Sequence, residues 1–368
     1  MTVRSPLEDR HAAAGARFTD FGGWSMPLRY GSELAEHHAV RLAAGIFDLS
    51  HMSEVLVTGP DAAAAMDHAL AGLLSPLVDG QARYTLLLAE DGGILDDVVV
   101  YRTAPDMYLV VANAANRGLV VAELAARTSG SDCQVDDITE ELALIAVQGP
   151  RSREALERTA GLEVEGLAAL RYYRALPARH DGTDVLLART GYTGEDGFEL
   201  YLEASAAPGL WDALIEVGAD VGLVRAGLAA RDTLRLEAGM PLYGNELTPD
   251  VLPVQARLAR TVPVARKGDF VGRDAILAGP APTARHLVGL AAQGRRAPRA
   301  GAPVLDGDAV VGEVTSGALS PTLGHPVALA YVDPELTDVG LPLDVDVRGA
   351  RVPVVVCDLP FYSRKEPR

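Results

Sequence analysis

From Phe198 to Glu203 apolar and polar side chains alternate, which predicts a strand with Phe198, Leu200 and Leu202 on one face and Glu199 and Tyr201 on the other. A second run, Asp184 to Thr190, also reads as a strand. Between them stand Gly191, Gly194 and Gly197. Glycine at every third position fits neither a helix interior nor a regular strand, because it marks backbone at positive φ or in close approach to a neighbour. The unit is two strands joined by a Gly-rich loop. Glu199 then faces either solvent, which the spacing alone favours, or a ligand at the loop mouth.

Arg83 to Ala89 and Ile94 to Tyr101, with the turn Glu90 to Gly93 between them, predict a hairpin. Its second strand carries Ile94, Asp96, Val98 and Val100 on one side and Leu95, Asp97, Val99 and Tyr101 on the other. Both sides are apolar apart from one aspartate each, so the strand is expected to be covered on both faces. A carboxylate there either reaches water at a strand end or sits buried, hydrogen-bonded and available as a base or cation-stabilising group.

Strands are also predicted at Glu54 to Thr58, Asp106 to Ala112 and Asp136 to Gln148. Helices are predicted near Ser32 to Ala44, Asp61 to Leu73, Asn116 to Arg127, Arg151 to Ala160, Gly209 to Gly218 and Leu223 to Met240. In the last of these Leu228, Arg231, Leu234 and Arg235 share a stripe, where arginine needs a carboxylate or an anionic ligand. Phe21 to Pro27 reads as a loop. His37 and His38 are adjacent rather than at metal-binding spacing, and read as surface or capping residues. Asp48 and His51 could pair, but no nucleophile lies near them in sequence. Leu277 to Arg285 is Pro/Ala-rich and reads as a linker. Beyond it short strands with turns at Asp306-Gly307, Gly317 and Gly340 predict a small antiparallel barrel or sandwich.

The chain has 368 residues, of which 48% are hydrophobic and 23% charged, enough for two or three globular domains. Its net charge of −17 argues against a general nucleic-acid or anionic-membrane surface. No apolar run approaches the roughly 20 residues of a membrane span. The charged N-terminus, Met1 to Arg17, has no apolar signal core. Two cysteines without a CxxC pair fit a reducing cytoplasm and offer no metal site. Walker, Rossmann, zincin and nucleophile-elbow patterns are absent.

Nine segments, in order, carry a resemblance. They are Gly22 to Trp24, Phe47 to Met52, Gly92 to Asp97, Gly191 to Glu199, Gly227 to Asp232, Arg235 to Gly239, Leu242 to Asn245, Phe270 to Arg273 and Val314 to Gly324. Together they resemble the T-protein, or aminomethyltransferase, of the glycine cleavage system. That resemblance implies an α+β fold, a three-domain cloverleaf with mixed and antiparallel sheets. Two interleaved domains would fill residues 1–276, a linker 277–285, and an antiparallel β-barrel-like domain 286–368. It implies an aminomethyl group carried on lipoylated H-protein, tetrahydrofolate as methylene acceptor, and release of ammonia.

By the same resemblance Asp97 is the catalytic carboxylate, and Glu199 holds the pterin ring. Met52, Tyr84, Tyr101, Asn113 and Tyr192 line the folate pocket. Arg231 meets the glutamate tail or braces Glu199, and Tyr362 with Arg364 closes the channel from the third domain. Arg260 stands where the family commonly has tryptophan. Relatives of other function are a folate-dependent demethylase, a folate-linked domain of an amine dehydrogenase and a non-enzymatic folate-binding iron–sulphur assembly protein. The last carries a Lys-Gly-Cys-type loop; here the loop reads Thr-Gly-Tyr-Thr, from Thr190 to Thr193.

Overall fold

The computed structural model describes residues 2–364. A seven-stranded sheet runs, in spatial order, Leu162–Val164, Ala175–His180, Thr183–Ala188, Gly197–Glu203, Leu142–Gln148, Ala44–Asp48 and Leu223–Arg225. A five-stranded sheet runs Gln81–Leu88, Ile94–Ala104, Met107–Ala112, Ser53–Thr58 and Gln134–Asp137. The chain leaves the larger sheet after Asp48, builds the whole smaller one, and returns at Leu142, so the two units interleave. A three-stranded sheet of Val3–Arg4, Trp24–Arg29 and Arg17–Phe21 precedes them.

Each large sheet packs helices on its outer face. Phe198, Leu200 and Leu202 bury against Leu210, Trp211 and Leu214 of the helix Ala207–Val221. Val98 and Val100 bury against Met66, Val120 and Leu124 from the helices Ala62–Ala69 and Arg117–Thr128. The inner faces share a third core, with Phe47, Leu144 and Tyr201 from one sheet and Val99, Tyr101 and Val111 from the other. Both faces of the strand Ile94–Ala104 are thus covered, as its pattern predicts. Each fully buried side chain of this size is worth about 1.5–3 kcal/mol.

The C-terminal unit is a closed antiparallel barrel of six strands: His286–Ala292, Pro326–Val332, Ala309–Leu319, Pro303–Asp306, Pro342–Val347 and Ala350–Cys357. Alternation sets its inside, since Val352, Val354 and Val356 are buried while Arg351, Pro353 and Val355 are exposed. Residues 365–368, which the expected C-terminal unit includes, lie outside the described residues.

Several local expectations fail for identifiable reasons. Phe21 to Pro27 is a hairpin: Gly22 and Gly23, at φ +58° and +84°, make the turn between Arg17–Phe21 and Trp24–Arg29. Asp136 to Gln148 divides between two sheets, because the Thr139 hydroxyl accepts the Glu54 N–H and the chain turns there. Leu223–Arg225 is a strand parallel to Ala44–Asp48, and helix begins only at Leu228. Gly317 lies in mid-strand, where a Cβ would come 2.4 Å from the Pro298 carbonyl oxygen. His37 is buried between Thr233 and Thr322, not at the surface.

Glu54 stands out inside this frame. It is fully buried, and neither carboxyl oxygen has a hydrogen-bond partner among the described residues. Burial first, and the Asp137 charge second, push its carboxyl well above the usual range, with Arg117 opposing. A carboxyl raised by folding binds its proton more tightly in the native state. Its stabilising contribution is complete below the unfolded value near 4.5 and is lost as pH rises toward the folded value. Glu54→Leu is therefore expected to raise the unfolding midpoint at pH 8 more than at pH 5. An equal shift at both pH values would place the Glu54 proton outside the folding equilibrium.

Candidate active site

Between the inner faces of the two sheets lies a cavity of about 310 Å³, within the size range of small-molecule sites. Met52, Tyr84, Asp97, Asn113, Tyr192, Glu199 and Arg231 all line it. So do Phe21, His51, Tyr173, Tyr201, Tyr243 and Leu258, which the sequence reading did not assign. The signal for Tyr243 was its place inside the segment Leu242 to Asn245 that carries the resemblance.

Asp97 reaches the cavity from the strand Ile94–Ala104. Tyr84, diagonal to it on the hairpin's other strand where Leu86 pairs with Asp97 and Tyr84 with Val99, donates its hydroxyl to Asp97 Oδ2 at 3.0 Å. The Asn113 side-chain amide donates to Asp97 Oδ1 at 2.9 Å. Burial pushes the Asp97 carboxyl upward, while these two donors pull it back toward the ionised form. Burial and then the Asp97 charge push the Tyr84 hydroxyl well above its ordinary range, so Tyr84 remains a donor. Asp96 faces away from the cavity and is fully buried. Burial and the Asp97 charge push it up to about 7, against donors from Asn113 and Asn116.

Glu199 is on the inner face of its strand, so the solvent-face reading is replaced by a cavity-facing one. The Thr190 hydroxyl donates to Glu199 Oε2. Tyr101 does not line the cavity. It stands behind the wall, its hydroxyl 2.9 Å from Thr190 Oγ1 and 3.4 Å from Glu199 Oε2. Arg231 makes no ion pair with Glu199; its guanidinium lies over the Tyr192 ring at 4.8 Å. Burial lowers the Arg231 pKa, with Glu199 opposing. Arg235, its neighbour on the stripe, takes the internal route and pairs with Glu246 at 2.9 Å.

The Gly-rich loop wraps the side chain of Gln148. A Cβ at Gly191 or Gly197 would come 2.0 or 2.4 Å from Gln148 atoms, so only glycine lets the loop close there. Gln148 Nε2 donates to the Thr190 carbonyl, and the Thr193 hydroxyl donates to Gln148 Oε1. From behind, Arg41 donates to the Thr193 carbonyl at 2.7 Å, to Glu195 at 2.9 Å and to Glu237 at 2.9 Å. Burial would raise Glu237, but the His37 hydrogen bond and the charges of His37 and Arg41 outweigh it and hold the carboxyl at about 2.

Tyr362 and Arg364 join this rear support rather than the cavity. The Tyr362 ring stacks on Arg41 at 4.1 Å, and an Arg364 nitrogen is 3.9 Å from Asp196. Asp48 and His51 also separate: Asp48 pairs with His11 at 2.8 Å, deep in the larger subdomain. His51 lies at the cavity wall, edge-on to Phe21, with its Nδ1 sealed and unpartnered among the described residues. Burial and then the Arg231 charge lower the His51 pKa to about 4, so the ring is neutral at pH 7. Arg260 is exposed on the turn Ala259–Thr261 and leaves the cavity wall to Leu258.

Two family models match in succession: the GCVT N-terminal domain over residues 7–266 and the glycine cleavage T-protein C-terminal barrel domain over residues 285–363. The chain belongs to the glycine cleavage T-protein family. An aminomethyltransferase of Cutibacterium acnes is 52% identical over 366 residues, covering 98% of each chain. One from Moorella thermoacetica is 44% identical over 362 residues, again covering 98% of each. The crystal structure of glycine cleavage system aminomethyltransferase T from Bartonella henselae superimposes with a TM-score of 0.90 at 38% identity, covering 98% of both chains. The activity is that of an aminomethyltransferase of the glycine cleavage system. In this chain the two large sheets supply opposite walls of the cavity, residues 239–243 and Leu258 line it as well, and the barrel packs against the helix Leu228–Glu237 that carries Arg231. Among the described residues no helix is long and apolar enough to cross a membrane.

Proposed function

We propose that this aminomethyltransferase takes the aminomethyl group from the lipoyl arm of H-protein and passes its methylene to tetrahydrofolate in the cavity. The carbon–sulfur bond to the lipoyl arm breaks. Two carbon–nitrogen bonds to the folate form, the amino nitrogen leaves as ammonia, and the two N–H protons that the folate gives up end on the ammonia and on the released lipoyl thiol. Tetrahydrofolate would supply the two nitrogens that accept the carbon. The protein works on this reading in the cytoplasm, where its two free thiols, Cys133 and Cys357, stay reduced.

One observation carries the reading: a largely desolvated carboxylate, Asp97, shares a cavity with a second carboxylate, Glu199. The two fit different parts of a reduced pterin. Glu199 offers spare acceptor positions to the adjacent N–H donors of the ring, and Tyr84, Tyr192 and Tyr243 offer aromatic surface. Asp97 stabilises positive charge as it develops on the transferred carbon and the leaving nitrogen. In a site screened from water that interaction is far stronger than in solution. Tyr84 and Asn113 hold the carboxylate in place, so little reorganisation accompanies the reaction.

The deciding assay supplies aminomethyl-loaded H-protein and tetrahydrofolate, then measures ammonia and methylenetetrahydrofolate. Both products are expected in equal amounts, with no turnover of sulfonium donors. A donor preference for sulfonium compounds would move the chain to the demethylases. Glu199→Ala is expected to weaken tetrahydrofolate binding by about 1–3 kcal/mol, because buried ring donors lose their acceptor. Calorimetric titration checks this, and full affinity in the variant would take Glu199 out of the binding site.

A further inference from the structure

We propose that Asp96 is a positioning residue for the transfer reaction: it sets the Asn113 amide so that the carbonyl oxygen, not the NH2 group, faces the cavity beside Asp97. The inference rests on the assignment of Asp97 made above. Asn113 Nδ2 lies 2.6 Å from Asp96 Oδ1 and 2.9 Å from Asp97 Oδ1, so one amide group spans two carboxylates on opposite faces of a single strand. The Asn113 backbone N–H also donates to Asp96 Oδ2 at 3.1 Å, and Asn116 Nδ2 donates to Asp96 Oδ1 at 2.9 Å. Every polar contact of Asp96 is thus a donation it receives.

This arrangement decides the amide orientation. A primary amide has two N–H donors and one carbonyl oxygen, while a carboxyl oxygen that already takes a donor serves as an acceptor. A flipped Asn113 would set its oxygen against the Asp97 carboxylate and against Asp96 Oδ1, the oxygen that already accepts the Asn116 amide. In the orientation present, both N–H groups are spent and Oδ1 has no donor among the described residues. Asn113 lines the cavity, so what it offers a ligand is an acceptor. Asp97 offers a second acceptor beside it. Two converging acceptors, one of them anionic, suit a primary amine or ammonium group, the chemistry of the nitrogen that leaves. Without Asp96 the amide has one carboxylate to satisfy and can turn an N–H toward the same place, repelling that group.

A double-mutant cycle tests this with Asp96→Asn, Asn113→Ala and the pair together. Ammonia release gives kcat and KM, and titration gives the tetrahydrofolate Kd. Asp96→Asn is expected to lower kcat roughly 10- to 100-fold while leaving the tetrahydrofolate Kd within about threefold, since only the reacting geometry shifts. Added to Asn113→Ala it should cost little more, because its effect passes through Asn113. A fully additive cycle, or an unchanged kcat in Asp96→Asn, overturns the proposal. Should Asp96→Asn not fold, Asp96→Ser, smaller and uncharged, takes its place in the same cycle with the same expectation. A wild-type chain that neither binds tetrahydrofolate nor releases ammonia overturns the proposed function as well. An active wild type with an additive cycle overturns this inference alone.

Discussion

Asp97→Asn is expected to keep tetrahydrofolate affinity within a few-fold and to lose most of its turnover, by roughly 10²- to 10⁴-fold. The two side chains have the same shape, and the Tyr84 hydroxyl can still donate to the amide oxygen. What disappears is the negative charge. Binding of a neutral pterin depends little on that charge, whereas a transition state that places positive charge on carbon depends on it heavily. Titration and single-turnover ammonia release measure the two quantities separately. Unchanged turnover would remove Asp97 from the mechanism. Equal losses in affinity and rate would mean that it only shapes the cavity. Asp96 cannot substitute, because it lies on the other face of the strand with its oxygens already taken.

Arg41→Met is expected to cost about 3–5 kcal/mol of stability, the range for removing one partner of a buried ion pair. The substitution keeps the apolar stem but leaves Glu195 and Glu237, both buried, without the cation they share. It also removes two donors to backbone carbonyls, of Thr193 and Leu234, and the cation under the Tyr362 ring. Denaturant unfolding measures the loss. Salt should change it little, since the cluster is out of solvent. Glu237 adds a pH signature. Its carboxyl is held at about 2 in the folded state, so its contribution is present above the unfolded value near 4.5 and fades as pH falls through the folded one. The variant, which lacks part of the cause, should show a shallower acid limb. A loss under about 1 kcal/mol would show that the cluster is no more than an exposed pair in its energetics.

Sequence patterns gave the strand faces and left their coverings open. Period two put Glu199 opposite Phe198 and Leu200, but could not say that the other sheet's inner face stood across from it. The same rule exposed the oddity of Asp97 on an apolar strand, and there the pattern was enough, since both faces of that strand were apolar. Arg231 and Arg235 sat on one stripe with no local sign of different fates. One met Glu246, and the other met an aromatic ring and the cavity. His37 looked like a surface residue because its partners, Thr233, Glu237 and Thr322, come from distant parts of the chain. The resemblance has Tyr362 and Arg364 closing the channel, while side-chain packing sets them behind the Gly-rich loop, against Arg41 and Asp196. Leu223–Arg225 was hidden inside a helical pattern because three residues carry too little periodicity to show a strand.

The interleaving of the two sheets has a consequence during synthesis. The strand Ala44–Asp48 emerges from the ribosome early, yet its antiparallel neighbour Leu142–Gln148 and parallel neighbour Leu223–Arg225 follow only after the whole intervening sheet. Loop closure over about a hundred residues is slow, so the early strand waits with its edges open. The inserted unit, whose contacts are mostly hairpins, can form first and act as the template on which the rest assembles. Nascent chains stopped before Leu142 should already protect Tyr84 and Asp97 from exchange with solvent, while the half of the pocket that carries Glu199 does not yet exist.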